Sequence, residues 1–501
     1  MKQYLHILFL VVGYQLLTIN YQLSTAQDTQ RFAERQIIGS ARYVGMGGAM
    51  TAIGGDPSAV QANPAGLGLY RRSEISLTID ETIDRTQQLT SESTYQRSRF
   101  SAANVSAIWA LGNPHKQRGM IYSNFMLSTN RLANFNREMV VQGKDMGMLE
   151  TICKKTDGLA EMYLQNKPWN DTEIGWLSIL GYETYLINPV GNEMWIPAVN
   201  LTEGSLTLSE TGTYDQYTLS WAGNISNQWY VGVSVNIPTL NYLKNISLLE
   251  TDRVHSAQLK SMYYATGVGV SGSVGIIYRP IQSLRVGASF QTPAMMALSV
   301  QTEGDMYSTV DGQNYELLTP SSGTVSTEIL SPLRTSMSVA GQMGNVGLIA
   351  LQYDYAHTVD MEDVHTIHVG AEVQASRSLF INAGYVYESS LMKEEPMVGL
   401  DYNSIRTDID YRYTISSQYA SAGIGYRGNR VVAQVAYQYR WQTLHQYASE
   451  MQVLPFEVGT QTHRIAVTLA WRFRNRAEMA YDNGVNIQSN HTDLTQIRKF
   501  Y

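Results

Sequence analysis

The chain has one cysteine in 501 residues, Cys153. An internal disulfide is therefore excluded, and the thiol is expected to stay unpaired and without a role. Charge is scarce: Asp, Glu, Lys and Arg make up 16% of the chain, against a usual level of about 25%. The net charge of −7 offers no basic face, which argues against nucleic acid as a partner. Past the N-terminus there is no run of about 18 apolar residues, so no helix is expected to span a bilayer. Phenylalanine is rare at 10, whereas tyrosine is abundant at 33. An apolar ring with a wet hydroxyl suits a membrane–water boundary.

The N-terminus has the parts of a secretory signal. Lys2 gives the positive end, Leu5 to Leu17 the apolar stretch, and Ser24-Thr25-Ala26 a small-residue cleavage site. Residues 1–26 are read as a signal peptide and Gln27 as the first mature residue. An exported chain without a spanning helix leaves the periplasm, secretion or an outer-membrane barrel.

Strict alternation then decides among these. In "HRIAVTLAWRF", Ile465, Val467, Leu469, Trp471 and Phe473 share one face, and Arg464, Ala466, Thr468, Ala470 and Arg472 the other. "RVVAQVAYQYRW", "SLRVGASFQT", "WYVGVSVNI" and "SAANVSAIWAL" repeat the pattern. The second face is Gly, Ser, Ala, Asn, Gln and occasional Arg, not the Lys and Glu of a soluble sandwich. This predicts lipid outside and a polar lumen inside. Lipid forbids open sheet edges, so the strands must close on themselves.

Fourteen strands are predicted, beginning near Ser73, Ser98, Gly119, Thr213, Trp229, Gln258, Ser283, Thr324, Val346, Val364, Ser378, Gln418, Arg430 and Thr460. Short turn-like links ("NISN", "RPIQ", "GNVG", "ASR", "GNR") alternate with longer polar ones, as in outer-membrane barrels. The fold class is thus all-β: a fourteen-stranded antiparallel transmembrane barrel, residues 73–473, monomeric and surrounded by outer-membrane lipids. Residues 132–212 read as a large external insert with two helices. One carries Met148, Ile152, Leu159 and Met162; the other, capped at Asn170-Asp171, carries Ile174, Leu177 and Tyr182. Residues 474–501 read as a polar tail.

A barrel this wide would leak unless filled. The segment 27–72 can fill it. "GMGGAMTAIGGDPSAVQANPAGLGLY" has little bulk and packs closely; Gly45, Gly47, Gly48, Gly54 and Gly55 permit turns of positive φ. Pro57 and Pro64 block helix and strand propagation, and Asn63 can tie down a turn. The stretch Ala41 to Leu67 resembles the N-terminal hatch of the FadL/TodX family of outer-membrane transporters for long-chain fatty acids and aromatic hydrocarbons. The Asn63-Pro64-Ala65 triplet matches its hatch motif, and "GVGVSGSVGIIYRPIQSLRVGASFQTP" (Gly267 to Pro293) its strand–"YRP"–strand hairpin. The similarity spans roughly residues 35–473 and is closest to a divergent branch found in Bacteroidetes-like bacteria. The tail and the large insert depart from the family pattern.

The resemblance implies passive uptake of a hydrophobic small molecule: capture outside, a lumen pocket, a hatch shift and sideways release into the bilayer. Gly45, Gly47, Gly48, Asn63, Pro64 and Ala65 are the gating candidates. Met295, Met296 and Leu298 could line an adaptable apolar site or face lipid. Arg285 and Arg440 could meet a carboxylate or pair within the wall.

Other motifs lack their context. Gly267-Gly269-Gly272 and Gly423-Gly425-Gly428 match G-x-G-x-x-G, but no helix follows either. His357, His365 and His368 form an incomplete ligand set. The rival reading is a haem-binding surface receptor that uses the barrel as an anchor. A barrel hydrolase comes third, with only the adjacent His255-Ser256 in its favour and no G-x-S-x-G. No enzyme activity, cofactor or metal is expected.

Overall fold

The computed structural model describes residues 34–473 except 91–92, 113–115, 117, 172, 192, 345, 358–362 and 391–404. The expected signal peptide and polar tail lie outside the described residues. Among the described residues nineteen strands carry the chain. In order they are β1 (Ser73–Gln88), β2 (Thr94–Gly112), β3 (Met120–Lys144), β4 (Ile187–Val190), β5 (Met194–Pro197), β6 (Glu203–Ile225) and β7 (Trp229–Thr251). Next come β8 (Ser256–Ile281), β9 (Leu284–Gln291), β10 (Met295–Val310), β11 (Gln313–Leu318), β12 (Val325–Leu330) and β13 (Leu333–Met343). The last are β14 (Gly347–His357), β15 (Val364–Gln374), β16 (Leu379–Glu388), β17 (Tyr411–Arg427), β18 (Val431–Tyr447) and β19 (Phe456–Phe473).

All except the β4–β5 hairpin form one antiparallel sheet, closed where β1 pairs with β19 from Ser73↔Phe473 to Gln88↔Val458. The barrel has fourteen staves. β9 and β10 are two halves of one stave, both paired with β8 and interrupted at Thr292-Pro293-Ala294. Pro293 has no N–H to give the ladder, so the stave breaks there. β11, β12 and β13 are the broken return stave.

Alternation sorts the faces as predicted. On β19, Ile465, Leu469 and Trp471 are exposed outward, while Arg464, Ala466 and Thr468 are buried inward. Ile75, Leu77, Val235 and Leu351 extend the outer apolar band around the wall.

Two boundaries differ from expectation. β3 continues to Lys144 and β6 begins at Glu203, so the part of the 132–212 link outside the ladder is 145–202. The extra rungs still alternate, but their buried positions, Met139, Val141, Leu206 and Leu208, pack under the insert. Within the insert, α3 (Met148–Thr156) ends at Asp157-Gly158, where φ is +90° at Gly158. Leu159 and Met162 therefore lie beyond the helix, with Met162 exposed. α4 (Trp176–Glu183) starts after Gly175; Asp171 instead caps a turn at the Glu173 N–H. Both helices and Trp195 share a core with the upper rungs of β3, β6, β7 and β8. Cys153 is buried in that core, and burial pushes its thiol up to about 12.

Candidate functional site

Residues 34–70 occupy the barrel interior. They fold into α1 (Ala41–Gly45), α2 (Ala59–Ala62) and a 3-10 helix (Pro64–Leu69), almost wholly buried. These pieces are too short to hold themselves, and the wall holds them. Arg42 forks onto Glu372 of β15 at 2.6 and 3.0 Å. Gln434 and Thr468 accept from the N–H groups of Arg42 and Ala41, and Gln352 from that of Thr51. Arg285 donates to the Ile53 carbonyl, and His368 bonds the Gly47 carbonyl while its other nitrogen faces Asp354 at 3.0 Å.

Asn63 joins the plug to the wall. Its amide donates to the carbonyl of Thr51 at 2.9 Å and of Ile276 at 3.2 Å, and its oxygen accepts from the Ala65 N–H. The wall makes room with glycines. A Cβ on Gly275 would strike Asn63, on Gly232 the Pro64 backbone, and on Gly384 the Gly47 backbone.

Above the plug the lumen is two-sided. On the β3–β6–β8–β10 side, Leu132, Phe135, Tyr214, Tyr242, Tyr263, Met296 and Leu298 form a buried apolar cluster. On the opposite side Arg440 pairs with Glu34 at 2.5 Å and Arg464 with Asp80 at 3.1 Å; at the edge of the cluster Arg412 meets Glu210 of β6 at 2.7 Å, and Tyr242 donates to the same carboxylate. A cavity of about 100 Å³ lies beside the cluster at the top of the plug. Arg35, Tyr43, Arg334, Asp354, His368 and Glu388 line it together with Leu132 and Phe290. Two guanidinium groups next to an apolar wall can hold an anionic head whose tail is greasy.

The wall is incomplete between β2 and β3. β2 and β3 pair only from Asn104↔Asn130 to Gly112↔Tyr122, although both strands continue well past Asn104 and Asn130. There Leu132 is an extra residue in the β3–β6 register, a bulge that turns β3 away from β2. Other groups reach in around the gap. Gln36 of the plug donates to the Leu132 carbonyl at 2.9 Å, and Arg99 of β2 to the Gly212 carbonyl at 2.8 Å. Leu132 and Phe135 put the apolar cluster at this gap.

The residues singled out from sequence separate accordingly. Gly45, Gly47, Gly48, Asn63, Pro64 and Ala65 lie in the seated plug. Met296 and Leu298 face the apolar cluster, but Met295, one residue off in phase, points outward. Arg285 and Arg440 face the lumen, where both bind the N-terminal segment. His368 is buried in the lumen, whereas His357 and His365 lie on the outer face against Asp363 and Tyr353. The three therefore share no site. His255 faces Asp252 and Asp311.

Sequence reading missed Arg35, Arg334, Lys244 and the segment 405–410. Lys244 carries a signal: it occupies an inward position in the alternating run "TLNYLKNISL".

No family model and no curated protein sequence matches the chain. Solved structures do match. The monoaromatic hydrocarbon channel CymD aligns with a TM-score of 0.52 at 12% identity, over 88% of this chain and 100% of its own. A FadL homologue of Pseudomonas aeruginosa gives 0.52 at 11%, over 88% and 99%. The toluene transporter TodX of P. putida gives 0.51 at 11%, over 88% and 100%. The chain has the FadL-type fold: a closed fourteen-stranded barrel with its N-terminal segment inside.

Proposed function

We propose that this chain is an outer-membrane channel for passive uptake of hydrophobic small molecules, gated by its N-terminal plug. One observation carries the reading: an apolar cluster inside a plugged barrel meets the wall where the β2–β3 ladder stops. A greasy molecule held there can leave sideways into lipid without crossing water. Each CH₂ moved from water to such a site gains about 0.8 kcal/mol, so a long chain gains affinity by length. The solved structures of the same fold, two of them named as a channel or transporter for aromatic hydrocarbons, support the reading.

Arg35 and Arg334 refine the cargo. Sharing the cavity with Asp354 and Glu388, they favour a cargo with a polar head, such as a long-chain carboxylate, over a plain hydrocarbon. The plug would act by moving: a shift of residues 35–37 frees the Leu132 carbonyl and opens the gap. A conformer of this kind need only be a few kcal/mol above the seated one.

The test is native extraction in mild detergent followed by mass spectrometry of bound small molecules. Long-chain carboxylates enriched over a control barrel, and lost in Arg35→Ala/Arg334→Ala, are expected. Hydrocarbons without carboxylates would move the cargo class. A bound haem with its Soret band, and no lipid enrichment, would overturn the reading.

A further inference from the structure

The lumen is closed twice. The plug fills the end with short turns. At the other end residues 405–410, just before β17, dip into the barrel over the apolar cluster. Thr407, Asp408, Ile409 and Asp410 are all buried. Lys244 of β7, with no exposed surface, meets Asp408 at 2.6 Å and Asp410 at 2.8 Å. The Thr407 and Ser261 hydroxyls are 2.6 Å apart, and Gly304 leaves room for the Thr407 side chain. The Arg406 guanidinium lies 4.3 Å from the centre of the Tyr263 ring, so the segment sits on the cluster itself. Ile409 packs upward into the core shared with the insert.

Two features mark this as a latch and not as wall. First, among the described residues 405–410 make no backbone–backbone hydrogen bond; side chains hold the segment. Second, the holding element is a buried ion cluster. Dehydration of such charges nearly cancels their attraction, so closure is firm in geometry but small in net free energy. A fixed wall would be built more stably from apolar residues of the same volume.

We propose that residues 405–410 are a second gate, latched by Lys244, which must leave the lumen before cargo can reach the apolar cluster from the long-link end. This rests on the transport reading above. The two gates give the channel a lock at each end of one chamber, and hydration of Lys244, Asp408 and Asp410 stabilises the open upper gate.

Two measurements on the full chain test it, both in a Cys153→Ser background. The first uses Ser261→Cys/Thr407→Cys, whose thiols fall where the two hydroxyls meet and can form a disulfide. Radiolabelled oleate uptake is followed in Gram-negative cells lacking their own carrier, after oxidation and again after reduction. The proposal predicts uptake at the empty-vector level when oxidised and its return on reduction. The second follows labelling of Ile409→Cys by a membrane-impermeant maleimide. Lys244→Met should speed it about tenfold or more by shifting the gate toward open. Equal uptake in oxidised and reduced protein, or labelling that Lys244→Met does not change, overturns the second gate. Absence of uptake even in the reduced protein overturns the transport reading instead, and the labelling then decides the gate alone.

Discussion

At the residue scale, Asn63 shows how one side chain can set a whole segment. It caps the 3-10 helix through Ala65 and ties Thr51 of the plug to Ile276 of the wall. Asn63→Ala leaves buried carbonyls short of a donor, at about 1–3 kcal/mol. The barrel should assemble normally, while protease cleavage within 41–67 becomes faster and uptake falls. Its value as a turn residue was legible in "QANPAGL"; its reach to Ile276, 213 residues away, was not. The same limit hid Lys244, whose partners Asp408 and Asp410 come from a segment with no periodicity. A lone inward Lys announces a partner without naming it.

His255 gives the residue-scale account of pH. Its hydrogen bond to Asp252, in the exposed link between β7 and β8, raises the imidazole above its ordinary 6.5 and lowers Asp252 to about 2. The pairing is fully present below the ordinary histidine pKa and fades as pH rises through the raised one. An NMR titration of the His255 ring should show a midpoint above 6.5, and Asp252→Asn should lower it toward the ordinary value, with Asp311 still beside the ring.

At the element scale, the plug and its seat are complementary backbones. Gly384 on β16 touches Gly47 with nothing between them, and a side chain there has no flexible neighbour to push aside. Gly384→Val should unseat the plug without opening the ladder. In planar bilayers the unchanged chain is expected to be silent, and Gly384→Val combined with Lys244→Met, which frees the second closure at 405–410, to show conductance steps. Silence in both would mean that the plug adapts around the valine. Strand phase was legible along most of the wall because lipid demands an apolar outer face. It failed on β3 past Arg131, where a bulge and the insert replace lipid as neighbours. The helices of the insert were found but misjudged in length, because Gly158 and Gly175 stop and start them where the apolar spacing alone continues.

At the scale of the whole molecule, the outer surface is the strongest statement that this barrel lives in lipid. Leu469 is 58% exposed on the outward face of β19, between Val467 and Trp471. Leu469→Arg places a charge in that band and should cost about 2–4 kcal/mol of folding into bilayers. Urea titration in lipid vesicles measures this; an unchanged midpoint would place the band in water. The barrel's closure and the plug's position followed from alternation plus the need to fill a wide lumen. The division of that lumen into an apolar and a charged half did not, since alternation fixes which face is inward but not what gathers there.

The central claim is that hydrophobic molecules pass and polar ones do not. Uptake of radiolabelled oleate and of a sugar of similar mass should be compared in carrier-deficient cells with and without the full chain. The account predicts faster entry of oleate only, reduced by Asn63→Ala. Equal stimulation of both solutes, or of neither, would contradict it.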